Sequence, residues 1–351
     1  MNNSTFPYRW YLSDGYPSKG IYNHNCKVFG TFICGGGSSM GYKLAGYNHI
    51  GGVEIDKEVV GIYKENHHPK HLFHEDLRLF NKRNDLPEEL FELDILDGSP
   101  PCSTFSLSGK REKVWGKEKV FREGQTKQTL DDLVYVYTET IEKLKPKVCI
   151  LENVEGILKG NAKSYCKKIN QKLDKIGYRV QVFSLNAATM GVPQKRQRVF
   201  FIGHRKDLKF PKLKLEFNQQ FITYGEIRIP RDENRKMTDY DIDIWNKKRN
   251  GDKSYEDVLN RTENRKSNFN ARFIYDKSVV NTIASCAGAK LVSFEECKRM
   301  SNTELKLAGS FPLDYNFLKI KPKYVIGMSV PPVMIAQISH QIWLQWLSKL
   351  N

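Results

Sequence analysis

The sequence predicts an α/β protein with a parallel sheet and a second, smaller domain or insert. Two observations indicate the sheet. From Lys27 onward short apolar runs alternate with helical periodicity, and the run 148–151 is apolar on both faces, as a buried parallel strand is. Residues 206–270 carry dense mixed charge with weak periodicity, which indicates the insert. The length of 351 residues fits two domains or one large domain with an insert.

The individual elements follow from the same patterns. Residues 1–26 are polar and aromatic with scattered glycine and proline, and we interpret them as an irregular leader. The apolar runs predict strands at 27–34, 49–55, 148–151, 180–185 and 199–202. The helical spacings predict helices at 38–45, 130–144, 164–176 and 333–350.

Charge and cysteine content limit the class of protein. There are 56 Lys and Arg against 40 Asp and Glu, a net charge of +16, which favours a polyanionic partner such as nucleic acid. The seven cysteines lack paired spacing, so we expect a reduced, cytoplasmic protein. No run approaches the roughly 18 apolar residues of a spanning helix, and the first residues do not have the pattern of a signal peptide.

A glycine-rich turn follows the first predicted strand. Gly35, Gly36 and Gly37 let the backbone approach a ligand closely, and the helix after them begins with free amides. Glu54 ends the next strand, 22 residues after Phe32, a spacing that suits a carboxylate on the hydroxyls of a ribose. Because the glycine spacing is not that of a dinucleotide site, we expect another adenosine-bearing cofactor. A tight turn in an ordinary sheet is the alternative.

Two further segments place reactive groups at strand ends. Cys102 follows two prolines, so its sulfur is held on a stiff loop, although a free cysteine is more often a buried apolar residue. Glu152 and Asn153 follow the buried run 148–151 and are expected at the carboxyl edge of the sheet, where α/β proteins bind ligands. A helix cap or a solvent-facing acid is the alternative for Glu152.

Basic residues precede the last predicted strand and follow Cys102. In strand alternation Gln194, Arg196 and Arg198 share one face, which suits an anionic or carbonyl-rich ligand, unless they form a solvated edge. The stretch 106–128 has seven basic and three acidic residues, and resembles a lid over a phosphate backbone more than a merely solvated face. The histidines at 67, 68, 71 and 74 lack a completing carboxylate or thiol set, so we expect no metal site.

Taken in order, these motifs resemble those of the cytosine-5 DNA methyltransferase family over about residues 28–345. The segments that carry the resemblance are GSPPCSTFS (98–106), LENV (151–154), QKRQRVFFIG (194–203) and KYVIGMSVPP (323–332). The resemblance implies a Rossmann-like sheet that uses S-adenosylmethionine, a smaller target-recognition domain, and a DNA cleft between them. It divides the chain into a leader at 1–27, a catalytic domain at 28–205 plus 310–351, and a recognition domain with its return segment at 206–309.

The resemblance also implies roles in the reaction. Cys102 is the nucleophile that adds to carbon 6 of a flipped-out cytosine in double-stranded DNA, which makes carbon 5 able to take a methyl group. Glu152 holds ring nitrogen 3 and the exocyclic amine, and Asn153 supports the cytosine site. Arg198 binds the carbonyl oxygen at carbon 2, and Arg196 positions the loop or a phosphate.

Binding residues follow from the same resemblance. The expected S-adenosylmethionine ligands are Phe32, Gly36, Gly37, Glu54, Ile55, Asp76, Leu77, Pro101, Leu130, Ser329 and Val330. The expected DNA contacts on the stretch after the nucleophile are Ser108, Lys110, Arg111 and Lys113. The resemblance implies a reaction that needs no metal. We expect the protein to be a monomer. In some members of the family a cognate restriction endonuclease belongs to the same system.

Three positions depart from the family pattern. Cys34 stands where the family's F-x-G-x-G has a glycine, Ser103 where it has glutamine, and Met328 where it has asparagine. None of them removes a chemical group that the mechanism needs. Two alternatives stay open. The protein is then either a methyltransferase that modifies carbon 5 of cytosine in transfer RNA, or a DNA-binding homologue with an inactive site. The recognised DNA sequence is not readable from residues 206–270.

Overall fold

The structure, a computed structural model, describes residues 6–17, 24–101, 132–159, 162–230, 237–265, 271–286 and 288–350. The chain divides into two compact units. One, here called the sheet unit, comprises Ser18–Asn186, Gln197–Glu216 and Ile335–Asn351. The other, here called the insert unit, comprises Met1–Pro17, Ala187–Arg196 and Phe217–Met334. The predicted site residues Cys102, Ser108, Lys110, Arg111, Lys113 and Leu130 lie outside the described residues.

The elements alternate as the sequence predicts. The described strands are β1 (Lys27–Thr31), β2 (Asn48–Glu54), β3 (His71–His74), β4 (Ile95–Gly98), β5 (Val148–Val154), β6 (Tyr178–Asn186), β7 (Gln197–Arg205), β8 (Arg272–Ile274) and β9 (Leu291–Ser293). The described α-helices are α1 (Gly37–Leu44), α2 (Lys57–His67), α3 (Leu77–Lys82), α4 (Leu133–Leu144), α5 (Ala162–Lys175), α6 (Tyr224–Ile227), α7 (Asp239–Asn246), α8 (Tyr255–Glu263), α9 (Asn302–Ala308), α10 (Pro322–Met328) and α11 (Pro332–Gln345). Across the described part of the chain, no helix is long and apolar enough to cross a membrane.

The sheet unit is built on seven strands in the order β3-β2-β1-β4-β5-β7-β6. Neighbours from β3 to β5 pair in parallel, whereas β7 pairs antiparallel with both β5 and β6. The order reverses at β1 and β4, so the carboxyl ends of these two strands flank a topological switch point, where open α/β sheets bind ligands. The prediction of an α/β fold is confirmed.

Two strands extend beyond their predicted ends. The prediction placed Glu152 and Asn153 just after a strand, but β5 continues through both to Val154, because β7 pairs with it from Val148 to Val154. The predicted strand face shared by Gln194, Arg196 and Arg198 is wrong, since β7 begins only at Gln197. An antiparallel neighbour that inserts between two parallel strands leaves no mark in the periodicity of either sequence segment.

Helix α4 holds the two central strands β4 and β5 together. The hydroxyl of Tyr137 on α4 donates to the carbonyls of Leu96 (2.8 Å) and Ile150 (2.7 Å), in the neighbouring strands β4 and β5. The ring of Tyr137 lies so near Gly98 that a Cβ there would meet it at 2.5 Å. A buried apolar core formed by α3, α4, α5 and the strands surrounds this ring. The end of β4, which leads to Cys102, is therefore held on a fixed path.

The insert unit has its own small core and charged network. Strands β8 and β9 pair in parallel, and Tyr255, Val258 and Phe273 pack in the core beside them. Glu304 is fully buried and accepts hydrogen bonds from Ile229 N (2.8 Å) and Lys298 Nζ (2.9 Å). The two units are divided differently from the predicted domains, since residues 187–196 and 310–334 belong to the insert unit, together with 1–17 of the predicted leader, and residues 206–216 belong to the sheet unit. The assignment of a target-recognition domain stays a prediction.

Candidate active site

An acid and a base meet on two antiparallel strands of the sheet unit. Glu152 on β5 pairs with Phe200 on β7, and Val154 pairs with Arg198, so Glu152 and Arg198 are diagonal neighbours on one face. Their side chains form an ion pair, with Arg198 Nε 2.9 Å from Glu152 Oε1. Arg198 Nη1 also donates to the carbonyl of Gln197 at 2.7 Å. The pair places a hydrogen-bond acceptor beside a hydrogen-bond donor, and its role at the edge of a base stays a prediction.

Asn153 follows Glu152 on β5 and is almost completely buried. Its Oδ1 accepts a hydrogen bond from Val154 N at 2.9 Å. Its Nδ2 is buried and has no partner among the described residues. A buried amide donor without a partner costs on the order of 1–3 kcal/mol. The part of Asn153 in the cytosine site stays a prediction.

The glycine-rich turn after β1 has three residues in the left-handed region. Phe32 has φ 56°, Cys34 has φ 46° and Gly36 has φ 71°. A Cβ on Gly36 would lie 2.0 Å from the ring of His67, which is buried and stacked on Tyr63. Glycine is therefore required at Gly36 by both its conformation and its close neighbour. Cys34 adopts the left-handed conformation at the position where the family pattern has glycine.

Glu54 is held in place by backbone amides. Its Oε2 accepts from Cys34 N at 3.0 Å, and its Oε1 accepts from Ile55 N at 2.9 Å and Asp56 N at 3.0 Å. Burial raises the pKa of Glu54, and the three amide hydrogen bonds oppose that rise. Each carboxylate oxygen has more than one lone pair, so the same group can also accept ribose hydroxyls. The adenosine prediction for Glu54 fits this geometry.

The other predicted cofactor residues of the sheet unit differ in what they offer. Asp76 caps α3 by accepting from Arg78 N at 2.7 Å, and its carboxylate also pairs with the Arg78 guanidinium at 3.1 Å. The side chain of Leu77 is buried in the apolar core, so it leaves mainly its backbone to a ligand. Ile55 and Pro101 are half-buried beside the strand ends, and Gly37 begins α1.

Arg196 has a different setting from that predicted. It is 2% exposed, and its guanidinium donates to the carbonyls of Ile283 (3.2 Å), Gly327 (2.9 Å) and Ser329 (2.8 Å), all within the insert unit. The Arg196 guanidinium therefore holds the backbone of these segments in place, and it is not placed to contact a phosphate. Ser329 and Val330 are likewise buried in the insert unit. Their part in the methionine end of the cofactor site stays a prediction.

Three of the four clustered histidines have partners of other kinds. His67 stacks on Tyr63, His71 pairs with Glu89 at 2.9 Å, and His74 contacts the Ile55 carbonyl at 3.1 Å. Within the described ranges no group of three His, Cys, Asp or Glu side chains is arranged to hold a metal ion. The expectation of a metal-free reaction is not tested by this.

One residue at this end of the sheet was missed by the sequence analysis. Asp97, the third residue of β4, is 4% exposed, and its Oδ1 accepts a hydrogen bond from Tyr42 Oη at 3.0 Å. Burial raises the pKa of Asp97 to about 7, and the nearby charge of Glu152 acts in the same direction. An aspartate within an otherwise apolar strand was the signal that could have identified it.

Comparison with known families agrees with the motif order. The model of the C-5 cytosine-specific DNA methylase family matches residues 27–343, which is most of the chain. The type II methyltransferase M1.HphI of Haemophilus parahaemolyticus is 25% identical over 342 residues, which are 92% of this chain and 88% of that protein. The type II methyltransferase M.DdeI of Desulfomicrobium norvegicum is 36% identical over 199 residues, 56% of this chain. The chain spans only 43% of M.DdeI.

Solved structures show the same fold at lower identity. A candidate DNA modification methyltransferase encoded within an E. coli prophage has a TM-score of 0.65 and 18% identity, covering 92% of this chain and 99% of the other. The S. pombe Dnmt2 methyltransferase has a TM-score of 0.59 and 17% identity, covering 93% of this chain and 100% of the other. The prediction of a methyltransferase sheet is confirmed.

Proposed function

Since the chain belongs to the C-5 cytosine-specific DNA methylase family, we propose that it transfers a methyl group from S-adenosylmethionine to carbon 5 of cytosine in double-stranded DNA. The observation that supports this most strongly is the ion pair of Glu152 with Arg198, at 2.9 Å, on the strands that carry two of the family's motifs. The reaction is proposed to proceed through a covalent bond between Cys102 and carbon 6 of the base.

Glu152 and Arg198 match the hydrogen-bonding edge of a cytosine. The exocyclic amine is a donor and suits the Glu152 carboxyl, while the carbonyl oxygen at carbon 2 is an acceptor and suits the Arg198 guanidinium. Before a base enters, each of these two side chains satisfies the other, which lowers the cost of keeping both charges largely buried. When a flipped-out base enters, its amine and its carbonyl oxygen replace the hydrogen bonds that Glu152 and Arg198 make to each other.

Cys102 supplies the nucleophile in this proposal. Its thiolate forms a bond to carbon 6, and the electron pair of the ring double bond moves toward carbon 5, which then bonds to the methyl group. Loss of the carbon 5 proton and departure of the Cys102 thiolate restore the ring and free the enzyme. A proton shared between the Glu152 carboxyl and ring nitrogen 3 offsets the negative charge that develops in the ring as the thiolate adds. Asn153 follows Glu152 on β5, so its side chain lies on the opposite face of the strand and supports the cytosine site from behind it.

The turn after β1 fits S-adenosylmethionine. Glu54 would hold the ribose hydroxyls, the half-buried ring of Phe32 would stack on the adenine, and Asp76 would lie at the adenine edge. The His67 ring occupies the space that a Cβ on Gly36 would need, so the turn is fixed on a path that only glycine allows. When bound, this cofactor supplies an electrophilic methyl group on a sulfonium sulfur.

DNA binding is assigned to the strongly positive chain as a whole and to the stretch after Cys102. With a net charge of +16, the protein is attracted to phosphates at any sequence. We propose that Ser108, Lys110, Arg111 and Lys113 contact DNA, and that the protein acts in the cytoplasm as a monomer beside a cognate restriction endonuclease.

Methyl incorporation from labelled S-adenosylmethionine tests the function. Purified protein is given duplex DNA, the same DNA as single strands, and transfer RNA, with Cys102→Ser as the inactive control. We expect label in duplex DNA at carbon 5 of cytosine, and none with the variant. Label in transfer RNA alone would favour an RNA methyltransferase, and binding of DNA without label would favour an inactive homologue.

A further inference from the structure

A buried carboxylate joins the cofactor turn to the strand that leads to the nucleophile. Asp97 accepts hydrogen bonds from two hydroxyls of α1, those of Tyr42 (3.0 Å to Oδ1) and Ser38. Helix α1 begins directly after the glycine-rich turn, at Gly37. Asp97 lies five residues before Cys102, and Gly98 after it is packed against the ring of Tyr137.

The backbone of Asp97 makes a second connection to the same region. Thr31 Oγ1, at the last residue of β1, donates to the carbonyl of Asp97 at 3.1 Å. Asp97 also pairs in register with Gly30 on β1 and with Ile150 on β5. The two ends of the glycine-rich turn, β1 and α1, are thus both tied to one residue of β4.

The charge on Asp97 is costly to the fold. Its titratable neighbours in the described part of the chain are Tyr42 on α1, Tyr63 on α2, Tyr137 on α4 and Glu152 on β5, none of which is a cation. Glu152 lies two residues beyond the Asp97 partner Ile150, so the two carboxyl groups share a face of the sheet. Burial raises the pKa of Asp97 to about 7. A neutral residue of the same shape would make the protein more stable above that pH.

We propose that Asp97 is a positioning residue for methyl transfer, whose carboxylate holds the Ser38 and Tyr42 hydroxyls and so fixes the cofactor turn relative to the start of the nucleophile loop. This inference rests on the proposed function, because it assigns the turn to S-adenosylmethionine. The buried charge of Asp97 lowers the stability of the fold. We infer that it is kept because it fixes the geometry of the site.

The proposal gives the site a pH response. The ionised carboxylate only accepts hydrogen bonds, so both hydroxyls of α1 can donate to it. When a proton binds, the oxygen that carries it becomes a donor, and one hydroxyl must turn away. We therefore expect the affinity for S-adenosylmethionine to fall as the pH decreases through about 7.

The test compares Asp97→Asn with Asp94→Asn. Asp94 is also buried, but it lies just before the opposite end of β4, where it accepts from Lys27 N at 2.6 Å and pairs with Lys147 at 2.8 Å. Urea unfolding and calorimetric binding of S-adenosylmethionine are measured from pH 5.5 to 9. Tyr42→Phe, which removes one donor and keeps the charge, serves as a second variant in case Asp97→Asn does not fold.

For Asp97→Asn we expect higher stability than wild type at pH 8.5, with the difference fading toward pH 5. The sign follows because a raised carboxyl pKa makes the wild type lose stability as the pH rises from about 4 to about 7. We expect the affinity for S-adenosylmethionine to fall by about tenfold at pH 8.5, the equivalent of one charge-assisted hydrogen bond, and to vary little with pH. Tyr42→Phe should weaken binding by less, roughly threefold, because it removes one donor and keeps the carboxylate that positions the turn. Asp94→Asn should lower stability and leave the affinity and its pH dependence as in wild type.

Other outcomes overturn the proposal. Unchanged affinity in Asp97→Asn, or lower stability at every pH, would leave Asp97 a structural residue only. If Asp97→Asn does not fold, unchanged affinity in Tyr42→Phe overturns the proposal on its own. If the wild type binds no S-adenosylmethionine at any pH, the proposed function fails instead, and the two failures are thereby distinguished.

Discussion

Arg198 and Glu152 are each other's ion-pair partner, with Nε 2.9 Å from Oε1 and the two side chains 13% and 11% exposed. The pairing follows from the antiparallel insertion of β7 beside β5, which sets Arg198 opposite Val154. A largely buried pair of this kind is retained at little net gain in stability. We infer that the pair serves function instead, because it places a hydrogen-bond donor, Arg198, beside an acceptor, Glu152, at one edge of the site.

Replacing Glu152 by Gln tests this pair. The amide keeps the size of the side chain but leaves the Arg198 guanidinium without its counter-ion. We expect the free energy of unfolding to fall by about 1–3 kcal/mol and the rate of methyl transfer to fall by on the order of 10²-fold or more.

Glu155→Gln is the matched control, because Glu155 pairs with Lys159 at 2.9 Å in a more exposed setting. The control should change stability by less than about 0.5 kcal/mol. Equal rates in both variants would contradict a role for Glu152 in the reaction.

Replacing Glu54 by Ala tests the ribose site. The variant loses a carboxylate that accepts three backbone amides, from Cys34, Ile55 and Asp56. We expect the binding free energy of S-adenosylmethionine to weaken by on the order of 1–3 kcal/mol in calorimetry. Glu54→Gln keeps one acceptor and should lose less affinity. Glu58→Ala, at an exposed position of α2, is the control. Unchanged affinity in Glu54→Ala would place the ribose elsewhere.

The glycine-rich turn offers two substitutions of opposite sign. Cys34 has φ 46°, so Cys34→Gly should relieve backbone strain of about 1–2 kcal/mol, offset in part by the freedom that glycine adds to the unfolded chain. We expect a net gain of about 0.5 kcal/mol in urea unfolding. Gly36→Ala should destabilise by more than about 2 kcal/mol, since its Cβ would meet the His67 ring at 2.0 Å. A stable Gly36→Ala protein would show that the turn differs from the structure described.

The basic residues after Cys102 are expected to act through phosphates. Neutralising Lys110, Arg111 and Lys113 together should reduce the slope of log affinity against log salt by about two to three units, at roughly 0.9 for each phosphate that the protein no longer neutralises. The preferred DNA sequence and the affinity for S-adenosylmethionine should not change. An unchanged slope with an altered sequence preference would make these residues readers of bases.

Much of the fold was predictable from local patterns. Strands β1, β2 and β5 each have an apolar run that predicts them, and the glycine-rich turn marks the first crossover. Strand β3, with histidines at both ends, has no such run and was not predicted. The continuation of β5 through Glu152 was not predictable, because it depends on pairing with β7, about fifty residues later. Arg196 was likewise misplaced, since its partners are three carbonyls more than eighty residues away. Long-range pairing leaves no periodicity in either segment.

The candidate site was predictable in its residue types but not in its connections. Glu152, Arg198 and Glu54 were singled out because they lie at the ends of apolar strands, and the structure places all three in the sheet unit. The ion pair between the first two, and the three amides on Glu54, depend on backbone geometry. Asp97 was missed because a single aspartate in a strand has no motif of its own.

The measurement that tests the central claim most directly is covalent trapping at Cys102. Duplex DNA with 5-fluorocytosine in place of cytosine is incubated with the protein and S-adenosylmethionine, and the adduct is analysed by peptide mass spectrometry. The fluorine cannot leave as a proton does, so the Cys102 thiolate stays bonded to carbon 6. We predict a stable protein–DNA adduct that maps to the peptide containing Cys102 and is absent in Cys102→Ser. An adduct on another residue, or methylated DNA with no adduct at all, would contradict the account.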